Sequence, residues 1–366
     1  MLVRELGFGG IERDVSKFSR HVDRGRVLPH VAYFRPGGPR WAEIEQAGIP
    51  LLELSIQSFR SSAAVTAARR FARYVAEHEI DLVHAFDAPA NMFAVPLSRL
   101  IGRPVLSSNL WLRSMLDRRT QFLLATLDRM ATGVFVNCQA VATELSSQWG
   151  VPQRKLHVCH NGFETEQFNS TGRQRPAELA DAQLVIGTVC GLRPEKNLPL
   201  LIDAFAEVFR THPGIRLVIV GDGDEREMLV RRISELGITG AVLLKGATAD
   251  PAPWMRAMDV FVLPSKKEAF SNALLEAMAC GCCPVGSEVG GTFELIRHGE
   301  HGMLFPSGDR DRLTGVLRML IERDDERVRM GCAAAKFARE NLTIETAANR
   351  LATIYEMVVG PGVKPT

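Results

Sequence analysis

The sequence predicts an α/β protein in which parallel strands alternate with helices. Short apolar runs recur along the 366 residues, and most precede stretches with apolar residues at helical spacing. The clearest unit spans residues 257–300, where a strand at Val260–Leu263 is followed by a polar loop, a helix and an apolar run from Cys283. Units of this kind form parallel sheets. A chain of this length is expected to contain two domains of roughly 100–200 residues each.

Composition and charge exclude several classes of protein. The chain has 44 basic and 42 acidic residues, a net charge of +2, which is not the basic footprint of a general nucleic-acid-binding protein. Its apolar runs are shorter than the roughly 18 residues that a membrane-spanning helix needs. Polar residues interrupt the first positions, so a signal peptide is not expected. We therefore expect a cytoplasmic protein, with at most weak peripheral contact at the inner face of the membrane.

The seven cysteines indicate a reducing compartment, because their number is odd and their spacing matches no disulfide framework. Cys280, Cys282 and Cys283 lie at a predicted helix end and in a predicted buried strand. No second group of ligands follows them, so zinc is not expected. No metal and no cofactor is expected elsewhere. His298 and His301 lie in a predicted turn and are expected to be solvated.

The first predicted strand, Met1–Leu6, leads directly into a glycine-rich loop. Arg4 and Glu5 interrupt its apolar run, whereas central parallel strands are nearly continuous apolar runs. We therefore predict that this strand is clipped and that the true start of the protein lies upstream. Gly9 and Gly10 precede a helix, where glycines let backbone donors approach an anion or a polar substrate. A plain tight turn is the alternative for these two glycines.

The rest of the first domain continues the alternation of strands and helices. Helices are predicted from apolar spacing at residues 11–22 and 65–75. Residues 36–39 are predicted to form a loop, and the polar residues 168–181 the linker to a second domain. Further strands are predicted at Val31–Phe34, Leu51–Leu54, Asp81–Phe86, Pro104–Ser107, Val134–Val136 and Leu156–Cys159.

A helix with a basic, partly aromatic beginning carries Arg118, Arg119 and Phe122. Two interpretations stay open. One is contact with anionic lipid head groups or with a lipid-phosphate acceptor. The other is an ordinary solvated helix face, which the acidic residues Asp117 and Asp128 favour.

The second domain is predicted to begin with a strand at Leu184–Val189 and a loop at Cys190–Asn197. Arg193 and Lys196 lie in this loop, at the carboxyl end of the strand, where doubly wound sheets bind ligands. Two cations there suit a diphosphate, arginine through its planar fork and lysine as a point charge. The alternative is that each is a plain surface charge.

Strands at Leu217–Val220 and Val242–Leu244 are predicted next. Gly221 and Gly223 follow the first of them, but a third glycine is missing, so they are weak evidence for dinucleotide binding. Asp222 and Asp224 imitate a D-x-D metal motif, but the surrounding pattern is that of a turn before a helix.

The loop and helix of the unit at residues 257–300 carry the strongest candidates for a binding site. Glu268 lies in the loop, Ser271 or Asn272 can cap the helix, and Glu276 lies one turn inside it. Gly281 ends the helix at the position where a left-handed residue is needed. The free donors of a helix N-terminus attract phosphate or sugar oxygens. A carboxylate can accept both hydroxyls of a ribose diol. A nucleotide-sugar has both kinds of group.

This string resembles the signature of the family 4 retaining glycosyltransferases. The matching residues are Glu268, seven intervening residues and Glu276, then Ala277-Met278-Ala279-Cys280-Gly281 and later Gly290-Gly291. The resemblance extends from Gly9-Gly10 to the final helix. It implies the GT-B architecture, in which two Rossmann-like domains face each other across a cleft.

The resemblance also implies a division of the chain. Residues 1–167 would form the acceptor-side domain, 168–181 the linker and 182–342 the nucleotide-sugar-binding domain. Residues 343–366 would form a helix that crosses back to the first domain, and a tail. The family often has histidines near His84, but Phe86 and Asp87 stand beyond it here, so a core role for His84 is at least as well supported.

The implied reaction moves a sugar from a UDP- or GDP-sugar to an acceptor, with retained anomeric configuration and without a metal. A glycan, a lipid-linked or a small-molecule acceptor is expected, in cell-surface polysaccharide or glycolipid synthesis. The expected catalytic residues are Arg193 and Lys196, which would stabilise the departing diphosphate, and Glu268, which would hold donor-sugar hydroxyls. Glu276 would hold the ribose. The expected donor-binding residues are Gly9, Gly10, Arg193, Lys196, Glu268, Ser271, Asn272, Ala273, Leu274 and Glu276.

Two other functions stay open on the sequence. One is a nucleotide-sugar epimerase or phosphorylase on the same architecture, which would need no acceptor. The other is a non-catalytic protein that binds a nucleotide-sugar or a partner. The altered histidine loop and the short first strand are compatible with the second, whereas the intact glutamates and cations argue against it.

Overall fold

The structure, a computed structural model, describes residues 1–7 and 9–360. It contains two compact units. Of the described residues, those up to 162 and those from 344 to 360 form unit 1, and residues 163–343 form unit 2. Each unit is built on a parallel sheet with helices between successive strands. The predicted α/β class with two Rossmann-like domains is confirmed.

The sheet of unit 1 is doubly wound. Its strands pair in parallel, and the first strand lies next to both the second and the fourth, so the strand order reverses there. The order across the sheet is third, second, first, fourth, fifth, sixth and seventh. The strands are β1 (Leu2–Val3), β2 (Val31–Tyr33), β3 (Leu51–Glu53), β4 (Val83–Ala85), β5 (Val105–Asn109), β6 (Gly133–Val136) and β7 (Leu156–Val158).

Strand β1 is shorter than the predicted Met1–Leu6, because the chain leaves the ladder at Arg4. The backbone N–H of Arg4 donates to the Asp87 carboxylate at 2.7 Å instead of to a neighbouring strand. The carbonyl of Arg4 accepts from the N–H groups of Phe34 and Arg35. The sheet therefore ends here in a cluster of polar groups.

The helices of unit 1 cover both faces of this sheet and bury two apolar clusters against it. One of them begins at Pro39, the last residue of the predicted loop, because proline is well suited to the first position of a helix. Residues 36–38 form the loop that was predicted. The helices are α1 (Gly10–His21), α2 (Pro39–Gln46), α3 (Ser62–Glu77), α4 (Ala88–Leu100), α5 (Arg118–Met130), α6 (Gln139–Trp149) and, from the end of the chain, α14 (Ile344–Val359).

Helix α14 packs on α1 and completes one of these clusters. Its residues Leu351 and Tyr355 are buried together with Phe18 and Phe86. At the surface, Arg26 donates two hydrogen bonds of 2.9 and 2.8 Å to the Glu356 carboxylate. The last helix is therefore part of the core of unit 1.

His84 is a core residue of β4 with both ring nitrogens hydrogen-bonded. Nδ1 lies 2.7 Å from the hydroxyl of Tyr355, and Nε2 lies 2.8 Å from the hydroxyl of Ser108. The ring packs on Phe86, with 4.0 Å between the ring centroids. Burial lowers the pKa of His84 well below its ordinary value of 6.5. His84 is thus a neutral link between β4, β5 and α14.

A second buried network, beside α5, contains charges. The Arg113 guanidinium donates to the Asp128 carboxylate, and both side chains are fully buried. The Ser107 hydroxyl also donates to Asp128, at 2.8 Å. Glu144 accepts from the backbone N–H of Arg113 at 2.8 Å. The expectation that Asp128 offsets charge on a solvated helix face is therefore wrong, because this carboxylate lies inside the unit.

Unit 2 has a sheet of the same kind. Its strand order is tenth, ninth, eighth, eleventh, twelfth and thirteenth, and all pairs are parallel. The strands are β8 (Leu184–Val189), β9 (Ile215–Val220), β10 (Val242–Gly246), β11 (Val260–Leu263), β12 (Cys283–Ser287) and β13 (Met303–Phe305). The helices are α7 (Leu198–Phe209), α8 (Arg226–Glu235), α9 (Ala252–Ala257), α10 (Asn272–Ala279), α11 (Thr292–Leu295), α12 (Arg310–Glu322) and α13 (Asp324–Asn341).

Helix α13 accounts for one wrong prediction. His301 was expected to be solvated, but it is 5% exposed, and its ring stacks on Phe337 of α13 with 4.6 Å between centroids. Arg329 of the same helix donates to the carbonyls of Gly299 and Glu300. The turn is therefore covered by a helix that the sequence pattern had not indicated. Among the helices within residues 1–7 and 9–360, none is both long and apolar enough to cross a bilayer.

The buried histidine predicts a pH dependence of stability. The unfolded chain protonates His84 as the pH falls through 6.5, whereas the folded protein resists protonation. The contribution of His84 is therefore fully present above this pH and is lost below it. We expect the melting temperature to fall between about pH 7.5 and 5.5, and to fall less steeply in His84→Gln. Circular dichroism would measure both slopes.

The control for this experiment is His298→Gln, which removes an exposed histidine. It measures how far the slope changes when a histidine outside the core is removed. A slope in His84→Gln equal to that of the control would contradict the role assigned to His84.

Candidate functional site

The candidate site lies at the carboxyl edge of the sheet in unit 2. Strands β8 and β11 are parallel neighbours, so the loops that follow them leave from the same edge. The two loops are joined directly, because the backbone N–H of Lys266 donates to the carbonyl of Glu195 at 2.8 Å. Residues distant in the sequence are thereby brought together where doubly wound sheets bind ligands.

Lys196 and Glu268 form an ion pair between these loops. The Lys196 Nζ lies 2.6 Å from Glu268 Oε2, and the two side chains are 14% and 13% exposed. The hydroxyl of Ser265, which the sequence had not singled out, donates to the same carboxylate oxygen at 3.2 Å. Two residues that were predicted separately, as a phosphate ligand and as a sugar ligand, therefore share one hydrogen bond.

Arg193 is the open cation of the site. Its side chain is 62% exposed, and its Nε lies 3.2 Å from Glu195 Oε1. The following 3-10 turn, Pro194–Lys196, directs Lys196 towards Glu268 while Arg193 stays at the solvent side. An anion can therefore bind Arg193 without breaking a buried contact.

The predicted cap of α10 is confirmed at Ser271. The Ser271 hydroxyl accepts from the backbone N–H of Leu274 at 3.3 Å, so this N–H is already used inside the protein. Asn272 and Ala273 are the half-buried first residues of the helix. Gly281, just after its end, has the left-handed φ of 85° that was predicted.

Glu276 is a buried side chain and not an exposed one. It lies in the middle of α10 and is 2% exposed. A buried carboxylate on a packed helix orders its surroundings, and only a small part of it can reach a bound molecule. Its predicted contact with a ribose stays a prediction.

Two glycines hold the loops of the site in close contact. Gly290 has a φ of 47°, and a Cβ at this position would overlap the carbonyl oxygen of Glu268. The next N–H, of Gly291, donates to the carbonyl of Ala269 at 2.8 Å. Gly221, with a φ of 139°, packs in the same way on the carbonyl oxygen of Cys190. These glycines fix the backbone on which Glu268 and Arg193 stand.

The remaining predicted site residues, Gly9 and Gly10, lie in unit 1 at the start of α1. The carboxylate of Glu12 folds back over Gly9 and occupies the space that a Cβ would need. Burial, followed by the charges of Asp87 and Glu5, raises the pKa of Glu12. The start of α1 therefore already has a carboxylate beside its backbone, that of Glu12.

The buried thiols of unit 2 are poor nucleophiles. Burial raises the pKa of Cys190, beside Lys196 and Glu268, to about 11, so it is a neutral thiol and a poor nucleophile. Burial also raises the pKa of Cys280 and of Cys283 to about 12. Within residues 1–7 and 9–360, no group of three or more His, Cys, Asp or Glu side chains is arranged to hold a metal ion.

Comparison with protein families assigns both halves of the chain. Residues 8–167 match the model described as Glycosyltransferase Family 4, and residues 171–337 match that of Glycosyl transferases group 1. Together the two matches cover most of the sequence, and the second contains every candidate residue of unit 2.

Individual curated proteins also match this chain. N-acetyl-alpha-D-glucosaminyl L-malate synthase of Bacillus anthracis is 27% identical over 56% of this chain and 54% of its own length. For this protein and other curated relatives, the match spans about half of each relative's length. A GDP-mannose-dependent alpha-(1-6)-phosphatidylinositol monomannoside mannosyltransferase of Mycolicibacterium smegmatis is 29% identical over 94% of both chains.

Solved structures show the same fold. The crystal structure of Anabaena HepE in complex with UDP has a TM-score of 0.84 and 24% identity, and the match covers 97% of this chain and 98% of that one. The sequence signature, the two family matches and the folds of both units agree. The chain belongs to the family 4 glycosyltransferases, the glycosyl transferases group 1, with the GT-B type of fold.

Proposed function

We propose that the protein transfers a sugar from a UDP- or GDP-sugar to a glycan, lipid-linked or small-molecule acceptor in cell-surface polysaccharide or glycolipid synthesis. In this proposal the anomeric configuration is retained and no metal takes part. The observation that carries the proposal is the Lys196–Glu268 pair beside the exposed Arg193. One hydrogen bond joins a cation for a diphosphate, Lys196, to a carboxylate for sugar hydroxyls, Glu268, and a second cation lies in the loop of Lys196.

The relatives support this range of donors and acceptors. The mycobacterial relative is named for GDP-mannose and a phosphatidylinositol mannoside, and the Anabaena structure contains UDP. Neither name decides between the two bases for this chain. Donors with either base contain a diphosphate and a sugar, the two groups for which the site has candidate ligands.

The proposed chemistry depends on charge stabilisation. The bond between the anomeric carbon and the diphosphate oxygen breaks, and the diphosphate leaves with the electron pair. The acceptor hydroxyl forms the new bond on the same face and gives its proton to the departing diphosphate oxygen. Arg193 and Lys196 stabilise the charge that develops on the diphosphate, and the positive end of the α10 dipole adds to this stabilisation. Glu268 holds the sugar hydroxyls and thereby orients the reacting carbon.

The ion pair sets the order in which the two halves of the donor bind. Without donor, Lys196 is neutralised by Glu268. An arriving diphosphate competes for Lys196, and the Glu268 carboxylate then becomes available to the sugar attached to that diphosphate. Binding of the two halves of the donor is therefore coupled, because the first half releases the ligand of the second.

The proposed function is tested by donor binding and turnover. A thermal-shift screen of UDP- and GDP-sugars should identify a donor that raises the melting temperature, because a ligand stabilises the fold it binds. Release of nucleoside diphosphate should then depend on an added cell extract that supplies the acceptor. Release without extract would favour an epimerase or phosphorylase, and binding without any turnover would favour a non-catalytic protein.

The cations predict the affinity for plain nucleoside diphosphate. In Lys196→Ala we expect binding of UDP or GDP to weaken by about one to two decades, because charge-assisted hydrogen bonds contribute roughly 1.5–3 kcal/mol each. Titration calorimetry would measure it. Lys336→Ala, which removes a 72% exposed lysine of α13, is the control and should bind normally. Unchanged affinity in Lys196→Ala would contradict the role of Lys196 as a diphosphate ligand.

The two glutamates predict opposite effects on the same titration. Glu268→Gln removes the charge that competes for Lys196, so affinity for plain UDP or GDP should rise by up to about fivefold while turnover falls. Glu276→Gln should weaken binding through lost ribose contacts. If Glu276→Gln lowered only the melting temperature, its role would be structural. If both variants weakened binding equally, the separate roles would be wrong.

A further inference from the structure

One exposed surface of unit 1 combines apolar and basic side chains. We call it the α4–α5 surface. Its apolar members are large and open to solvent, with Leu100 83% exposed, Phe122 66%, Leu123 45% and Met130 40%. The surface consists of Arg99 and Leu100 at the end of α4, and Arg118, Arg119, Phe122, Leu123, Arg129 and Met130 on α5.

The helical spacing makes this a continuous surface. Arg119, Phe122, Leu123 and Met130 follow one another at intervals that place them on one side of α5. The opposite side of the helix carries the buried Leu124, which packs in the core of unit 1. Helices α4 and α5 pack against each other, and Leu100 lies exposed at the end of α4.

The net charge of this region differs from that of the whole chain. Residues 88–155 contain eight basic and three acidic residues, a net charge of +5, although the whole chain has only +2. Two of the three acids, Asp128 and Glu144, are buried in the Arg113 network. The third, Asp117, caps α5 and accepts from its first N–H groups. Most of the charged side chains that remain exposed in this region are therefore arginines.

Cations gather at one end of the surface. Lys155 donates to the carbonyls of Arg129 and Ala131, at 2.7 Å each. Its pKa is lowered by burial first and then by the positive charges of Arg154 and Arg99. The end of α4, the end of α5 and the loop before β7 therefore bring their positive charges to one place.

We propose that the α4–α5 surface docks unit 1 on a bilayer that contains anionic lipids. The arginines would bind lipid phosphates, and Phe122 and Leu123 would enter the boundary between head groups and acyl chains. Phe122 is already held in place by an edge contact with Trp149, at 5.7 Å between centroids. The ordering cost of presenting it to the membrane is correspondingly small.

Two other occupants fit the surface less well. A second copy of the chain, related by a two-fold axis, would place arginines against arginines. Nucleic acid would use the arginines but would leave Leu100, Leu123 and Met130 in water. An anionic bilayer matches both the charge and the apolar side chains. Of the two acids for which the sequence favoured a plain solvated face, Asp128 is buried, and Asp117 remains as the cap of α5.

Vesicle co-sedimentation tests the proposal with the full chain. We expect binding to vesicles of equal parts phosphatidylglycerol and phosphatidylcholine, little binding to phosphatidylcholine alone, and a loss of binding as salt is raised. The double variant Arg118→Ala/Arg119→Ala should bind about thirtyfold less, since each basic residue contributes about fivefold. Phe122→Ser should bind about tenfold less.

Matched controls make the result specific. Arg69→Ala/Arg70→Ala removes two adjacent exposed arginines from α3, and Val328→Ser removes a 53% exposed apolar side chain from α13. Both should bind as the unmodified chain does. Equal binding to both kinds of vesicle, or equal losses in controls and test variants, would overturn the proposal. So would a dimer in analytical ultracentrifugation that Phe122→Ser abolishes. None of these readouts requires sugar transfer, so the result is independent of the proposed function.

Discussion

The parallel pairing of β8 with β11 is the constraint on which the candidate site depends. Lys196 and Glu268 are 72 positions apart in the chain, yet their side chains are hydrogen-bonded at 2.6 Å. They meet because both strands run in the same direction and end at the same edge of the sheet. An antiparallel pair would send the two loops to opposite edges. The chemistry of the site is therefore set first by the strand order and only then by the side chains.

Backbone contact between loops is the second condition. Gly290 lies against the carbonyl of Glu268, and Gly221 against that of Cys190, in conformations that residues with a Cβ rarely adopt. Each loop that carries a charged group is thereby supported by a glycine from another loop. The ion pair can form at hydrogen-bonding distance because the loops beneath it touch. A side chain at either glycine would move the charged group and not merely a surface turn.

Much of this could be predicted from the sequence, and the failures have physical reasons. Strand β11, the cap at Ser271 and the left-handed Gly281 follow from local patterns. The ion pair does not, because a contact across 72 residues leaves no periodic signal. Helix α4 was missed because apolar residues surround it and blur the 3.6-residue period. His301 was misplaced for a related reason: its burial depends on a helix formed by a later part of the chain.

Burial of acids explains how a nearly neutral chain presents basic groups. In unit 1, Asp128 and Glu144 are used inside, by Arg113 and its backbone, and the arginines of the α4–α5 surface remain outside. In unit 2, Glu268 is held by Lys196, and Arg193 remains open to solvent. The net charge of +2, counted from the sequence, does not show which charged side chains are buried and which are exposed. Folding sorts the charges by position. A chain of low net charge can therefore present exposed cations locally, as the proposed contacts with a diphosphate and a bilayer require, without acquiring a general affinity for polyanions.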